Sequence, residues 1–131
     1  MSSRNIKQVI VMRKDLNMRK GKMIAQGAHA AMAFLTKQAT VEGHTLHTPL
    51  RNPEEVQEWM TLGFTKICLS VDSEEELVRV YEQAVEDGLN ATLITDSGLT
   101  EFGGIPTKTC CAIGPNRNED IDRITKDLKL L

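Results

Sequence analysis

The run Gln8-Val-Ile-Val-Met12 constrains this chain more than any other segment. It is short, β-branched and lacks polar alternation, so it reads as a strand covered on both faces. Such a strand needs a layer of structure on each side. Three further strand-like segments follow: Lys66 to Val71, Ala91 to Thr95 and Thr109 to Ile113. They alternate with helical segments, which implies an α/β sheet with helices on both faces and right-handed crossovers between parallel strands. The loop Ser97 to Pro106 is Gly-rich and too short for a crossover helix, so the third and fourth strands should pair antiparallel. The expected fold is one domain over residues 1–131, three layers α/β/α, with a mixed four-stranded sheet whose last strand is antiparallel. A chain of 131 residues buries enough surface for a core without staples.

The helix boundaries follow from local chemistry. Lys22 to about Gln38 is rich in Ala, Met and Leu and free of Pro, and reads as a helix after a charged loop, Asp15 to Gly21. Residues Ala39 to Arg51 read as a loop. Asn52-Pro53-Glu54-Glu55 has the form of an N-cap, a proline at the first helical position and a capping-box acid, with Gly63 as the stop. Ser73-Glu74-Glu75-Glu76 repeats the capping signal for a helix ending at Gly88. Gly114-Pro115 should break the fourth strand, and Asn118 should cap a last helix ending near Leu131.

Composition limits the classes of function. Hydrophobic residues make up 40% and charged residues 26%, an ordinary globular balance. No apolar run approaches the roughly 20 residues of a membrane span, so no membrane role is expected. Met1 to Lys7 is polar and does not read as a signal peptide. Three cysteines, Cys68, Cys110 and Cys111, form no disulfide framework and suit a reducing, cytoplasmic setting. Cys110 and Cys111 would face opposite sides of a strand, which favours packing over ligation. The net charge of −2 hides an asymmetry: residues 1–22 hold seven basic residues and one acidic, the remainder nine basic and seventeen acidic. A basic end can draw phosphates locally on an acidic protein. Phe34, Trp59, Phe64, Tyr81 and Phe102 are too few to form a base-stacking platform. His44 and His47 are spaced H-x-x-H without a supporting ligand set, so no metal is expected.

Two constellations could carry chemistry. In Met18-Arg-Lys-Gly-Lys-Met-Ile-Ala-Gln-Gly-Ala-His-Ala30, a helix begun at Lys22 places Lys22, Gln26 and His29 along one face. Arg19, Lys20 and Lys22 around its N-terminus would favour a phosphate. In Thr95-Asp-Ser-Gly-Leu-Thr100, Asp96 closes a strand, Gly98 permits a tight turn and Thr100 offers a hydroxyl. Open α/β sheets bind ligands beyond the carboxyl ends of their strands, where both constellations should meet. A solvated helix edge and an ordinary Asx turn remain the plainer readings of these residues taken singly.

Taken in order, these segments resemble the type 2 (archaeal/eukaryotic-type) peptidyl-tRNA hydrolase family over nearly the whole chain. Val9-Ile-Val-Met-Arg-Lys-Asp-Leu16 is similar to that family's first strand with its R-x-D-L exit, and the Met18–Ala30 segment to its M-G-K-G-K-x-A-A-Q-x-x-H-A. Asp96-Ser-Gly-Leu-Thr100 resembles D-A-G-x-T; Ala112-Ile-Gly-Pro115 and Leu128-Lys-Leu130 resemble its close. The resemblance implies an α/β homodimer that hydrolyses the ester between a peptide and the 3′ ribose of tRNA, with no metal or organic cofactor. Carried over by motif, the catalytic residues would be Lys20, His29, Asp96 and Thr100. Arg19, Lys20, Lys22, Gln26 and Thr109 would serve tRNA binding. Lys20 and Asp96 should face one cleft and hold each other charged. Arg19, Leu99, Glu101 and Gly103 to Thr109 depart from the family pattern. These departures keep open a non-catalytic paralogue that binds tRNA or a protein partner.

Overall fold

A computed structural model describes residues 5–99 and 102–131. The elements run β1 (Ile6–Arg13), α1 (Lys20–Thr36), β2 (Thr40–Glu42), β3 (Thr45–His47), α2 (Pro53–Thr61) and β4 (Lys66–Val71). They continue with α3 (Glu74–Glu86), β5 (Ala91–Asp96), β6 (Thr107–Arg117), α4 (Asn118–Thr125) and β7 (Lys129–Leu130). The main sheet has the order β5-β6-β1-β4-β7. β1 and β4 are parallel, whereas β6 is antiparallel to both β1 and β5. β1, β4 and β5 therefore end at the same edge, as the α/β reading requires.

β1 sits at the centre because both of its faces are apolar. Val9 and Val11 point into one core with Leu77, Val80, Cys111, Ile113 and Ile121, under α3 and α4. Ile10 and Met12 point into a second core with Ala30, Cys110 and Ala112, under α1. The period of two thus separates Cys110 from Cys111 onto opposite faces. α2 closes the α1 side, where Trp59 meets Phe34 edge-on at 5.9 Å between ring centroids.

Five details differ from the sequence reading. First, α1 begins at Lys20, with Arg19 in the extended N-cap position and Gly21 inside the first turn. Arg19 makes no side-chain capping bond and the first turn holds no acidic residue, so no local cap signal marks this start. Second, Ala39 to Arg51 is not all loop: β2 and β3 pair as a small exposed hairpin. Gly43, at φ 60°, takes the turn position that demands a positive φ. Third, Asn52 does not cap α2 with its side chain; it lies at φ 55° and accepts instead from Asn116 Nδ2 at 3.0 Å. Glu55 is likewise drawn to Asn116 and to the Arg117 N–H. Ser73 does cap α3, accepting from Glu76 N at 3.1 Å.

Fourth, Gly114-Pro115 does not end β6, which runs on to Arg117. The ladder absorbs the pair as a bulge: Lys7 to Val9 on β1 faces the longer step Asn116 to Ile113 on β6. Fifth, α4 stops at Thr125, and Lys129–Leu130 adds a fifth, two-residue strand against β4, so the sheet is not four-stranded. That pairing is long-range and leaves no local signature. Among the described residues, no helix is long and apolar enough to cross a membrane.

Candidate active site

Asp96 is the last residue of β5, at the edge where α1 begins. Its side chain is 13% exposed and both of its oxygens are held. Lys22 Nζ donates to Oδ1 at 2.9 Å and Gln26 Nε2 donates to the same oxygen at 3.2 Å. The Gly98 N–H donates to Oδ2 at 2.8 Å. Gly98 alone permits this turn. It lies at φ 82°, and a Cβ there would stand 2.2 Å from the Ile105 carbonyl oxygen.

A second rank of residues fixes the first. Gln26 is buried, and an ionised carboxylate only accepts, so the Gln26 amide nitrogen must face Asp96. That leaves Gln26 Oε1 to accept from Thr109 Oγ1 at 2.5 Å. The Cys110 thiol donates to the Gln26 carbonyl at 3.4 Å, tying α1 to β6. The Lys22 ammonium also lies 5.6 Å from the Phe102 ring centroid, within cation–π range. The Lys22 hydrogen bond, then the Gly98 N–H, pull the Asp96 carboxyl below the ordinary carboxylate range against the opposing effect of burial.

The lysine on Asp96 is therefore Lys22, not Lys20. Lys20 opens α1 and stands exposed beside exposed Arg19. The i, i+4, i+7 face of Lys22, Gln26 and His29 is formed as expected. His29 is exposed and lines an open cleft of about 540 Å³ together with Gln26, Asp96 and Ser97. Thr100 lies outside the described residues. Thr109 is fully buried and Gln26 nearly so. Gln26 reaches the cleft only at its edge, and the two residues are joined to each other and, through Gln26, to Asp96. Lys22 is held in the same cluster, with its side chain only 13% exposed.

Sequence reasoning missed one further element. Arg13, at the end of β1, grips Asp15 through Nε and Nη2 at 3.1 and 2.6 Å and donates from Nη1 to the Lys108 carbonyl. This fixes the β1 exit against β6; the R-x-D spacing was its only local trace. Burial pushes the Cys110 thiol up to about 11 and the Cys111 thiol higher still, so neither is a ready nucleophile. His47 pairs with Glu42 within the exposed hairpin, at 3.5 Å. Among the described residues, no group of three His, Cys, Asp or Glu side chains could hold a metal ion. The cluster presents instead a fixed carboxylate, a fixed ammonium and an imidazole around open space.

Comparison with known proteins gives a consistent answer. The sequence profile of the family described as "Peptidyl-tRNA hydrolase PTH2" matches residues 6–131. The peptidyl-tRNA hydrolase of Methanocaldococcus jannaschii is 42% identical over 127 residues, covering 96% of this chain and 100% of that protein. That of Sulfolobus acidocaldarius is 40% identical over 126 residues, with 96% and 100% covered. The probable peptidyl-tRNA hydrolase 2 of Drosophila melanogaster is 39% identical over 127 residues, covering 97% of this chain and 62% of that protein.

Proposed function

The chain belongs to the peptidyl-tRNA hydrolase PTH2 family and is an enzyme that hydrolyses the ester bond of peptidyl-tRNA, and we propose that it does so at the Asp96 cluster. The observation that carries this reading is the enclosure of Asp96 by Lys22, Gln26 and the Gly98 N–H at the mouth of a cleft shared with His29.

Ester hydrolysis needs an oriented water, a proton acceptor and positive charge where the oxyanion develops. A carboxylate whose pKa is lowered by its hydrogen-bond donors accepts hydrogen bonds well and is a weaker base than a free one. Asp96 therefore orients the attacking water, whose oxygen bonds to the ester carbonyl carbon. His29 takes the water proton. Lys22, held beside Asp96, supplies the positive charge that favours the tetrahedral intermediate. Collapse of that intermediate breaks the bond to the 3′ ribose oxygen, which receives the proton back from His29, releasing free tRNA and peptide. Arg19 and Lys20, exposed at the α1 N-terminus, take a phosphate near the tRNA 3′ end, so Lys20 serves binding rather than the Asp96 pair. Affinity for tRNA then falls with rising salt.

The protein acts in the cytoplasm as a homodimer. The three free cysteines support a reducing compartment. The exposed stripe Ile24, Ala28 and Met32, spaced four apart on α1 away from the Asp96 face, supports a second copy packing there. A monomer mass at micromolar concentration would refute the dimer.

The deciding experiment incubates the purified protein with N-blocked aminoacyl-tRNA and follows release of free tRNA. Wild-type turnover with large losses in Asp96→Asn and His29→Ala supports the reading. Turnover by neither wild type nor variants would favour the non-catalytic, tRNA- or protein-binding alternative.

A further inference from the structure

We propose that the peptide half of the substrate binds as an added parallel strand along the free edge of β5. Its C-terminal carbonyl lies at Asp96 and its upstream residues lie near Arg51. The proposal rests on the reading of Asp96 as the reaction centre and adds to it a site for the peptide.

β5 is the terminal strand of the sheet, and among the described residues no strand pairs with its outer edge. Every second residue of such a strand directs its N–H and C=O outward, ready for an extended chain. Two open cavities line this edge end to end. The first, of about 540 Å³, is the cleft at Asp96 and runs along Leu93 to Ser97. The second, of about 580 Å³, continues past Ala91 and Thr92 to Arg51 and Val85. Ala33 of α1 and Lys37, the residue that caps its C-terminus, line both, so the two form one groove. All six residues of β5 lie along it.

The lengths agree. From Gln26 to Lys37, α1 advances about 16 Å at roughly 1.5 Å per residue. From Ala91 to Asp96, β5 advances about 17 Å at roughly 3.3 Å per residue. A groove of this length takes about five residues of extended peptide. The direction is also set. β5 runs toward Asp96, and the scissile carbonyl is the peptide's C-terminal end, so the added strand runs parallel to β5. The far cavity is lined by Phe34, Leu50, Tyr81 and Leu89 together with Lys37 and Arg51, so it offers apolar side-chain pockets beside polar groups, and RNA is the rival occupant that the test separates. The exposed basic pair Arg19 and Lys20 lies at the opposite end of α1. The tRNA thus enters from one end of α1 and the peptide leaves toward the other.

The test uses the full-length protein and N-acetylated peptidyl-tRNAs carrying one, three, five or eight residues. KM should fall about tenfold or more from one to five residues, the equivalent of one or two net main-chain hydrogen bonds, and change little from five to eight. N-methylation of single peptide nitrogens in the five-residue substrate should raise KM at alternating positions, the signature of a strand. Val85→Trp, on an exposed position of α3, should remove the gain from length without changing the affinity for deacylated tRNA. A KM independent of length, or no alternation on N-methylation, overturns the proposal while one-residue turnover still supports Asp96. Weaker binding of deacylated tRNA by Val85→Trp would assign the groove to RNA and overturn it too. Failure to turn over any substrate would remove the reaction itself, and this site with it.

Discussion

Two lysine–aspartate pairs in this molecule look alike by distance and differ in everything else. Lys7 and Asp122 meet at 2.6 Å, and Lys22 and Asp96 meet at 2.9 Å. Both lysine side chains are 13% exposed, yet Asp122 is 53% exposed where Asp96 is 13%. The shorter contact is the less consequential one. Asp122 faces water on α4, where screening leaves a pair little net value. Asp96 ends a strand under a cleft, and an amide, a backbone N–H and an ammonium all aim at its two oxygens. Enclosure and the number of converging donors, rather than separation, set the proposed catalytic carboxylate apart from Asp122.

Asp96→Asn should reduce kcat/KM for N-blocked aminoacyl-tRNA by about a hundredfold or more, the scale of losing a positioned catalytic group. Turnover within a few-fold of wild type would erase the difference between the pairs. Gly98→Ala should come next, with a loss of about tenfold to a hundredfold and a lowered Tm. The added Cβ collides with the Ile105 backbone and displaces the N–H that holds Asp96. An unchanged Tm and rate would show that the turn does not position the carboxylate. Thr109→Val should cost about tenfold in kcat, because it leaves Gln26 Oε1 without its donor while touching no substrate. A change confined to tRNA affinity would contradict that positioning role.

The acid side of the stability profile sharpens the contrast further. The folded-state pKa of Asp96 is depressed, so its contribution is fully present above the unfolded carboxylate value of about 4. It is lost as pH falls through the lower folded value. The difference in unfolding free energy between wild type and Asp96→Asn should therefore stay flat from pH 7 to about 4.5 and shrink only at lower pH. A difference that fades already near pH 6 would contradict the depressed pKa. The smallest effect belongs to the other pair: Asp122→Asn should change kcat/KM by less than about twofold and stability by less than about 1 kcal/mol. Urea unfolding and the same turnover assay check both.

The same contrast explains what could be read from the residues alone. A strand buried on both faces declares itself by composition, so β1 stood out; β4 and β5 are only partly buried and were located by their short β-branched runs, and with β5 came Asp96 at a strand end. The Ser73 cap is local and held. The choice between Lys20 and Lys22 was not local. It depends on where α1 starts and on a contact spanning 74 positions. The network of Gln26 with Thr109 spans 83 positions, and nothing near either residue announces it. Asn52 and Glu55 carry every mark of a capping box, yet Asn116, arriving from β6, claims both side chains. β7 exists only because Lys129–Leu130 finds the edge of β4. Local pattern locates elements, and long-range pairing decides which polar group meets which.

Lys22 and Asp96 are proposed to act as one unit in the reaction. A double-mutant cycle on kcat/KM tests it most directly, using Lys22→Met, Asp96→Asn and the double variant, each shown to be folded by its Tm. Coupled residues lose their shared contribution once, so the double variant should be about as slow as the slower single variant. Losses that multiply, with the double variant slower than either by the product of the two factors, would show that the residues act independently and contradict the claim.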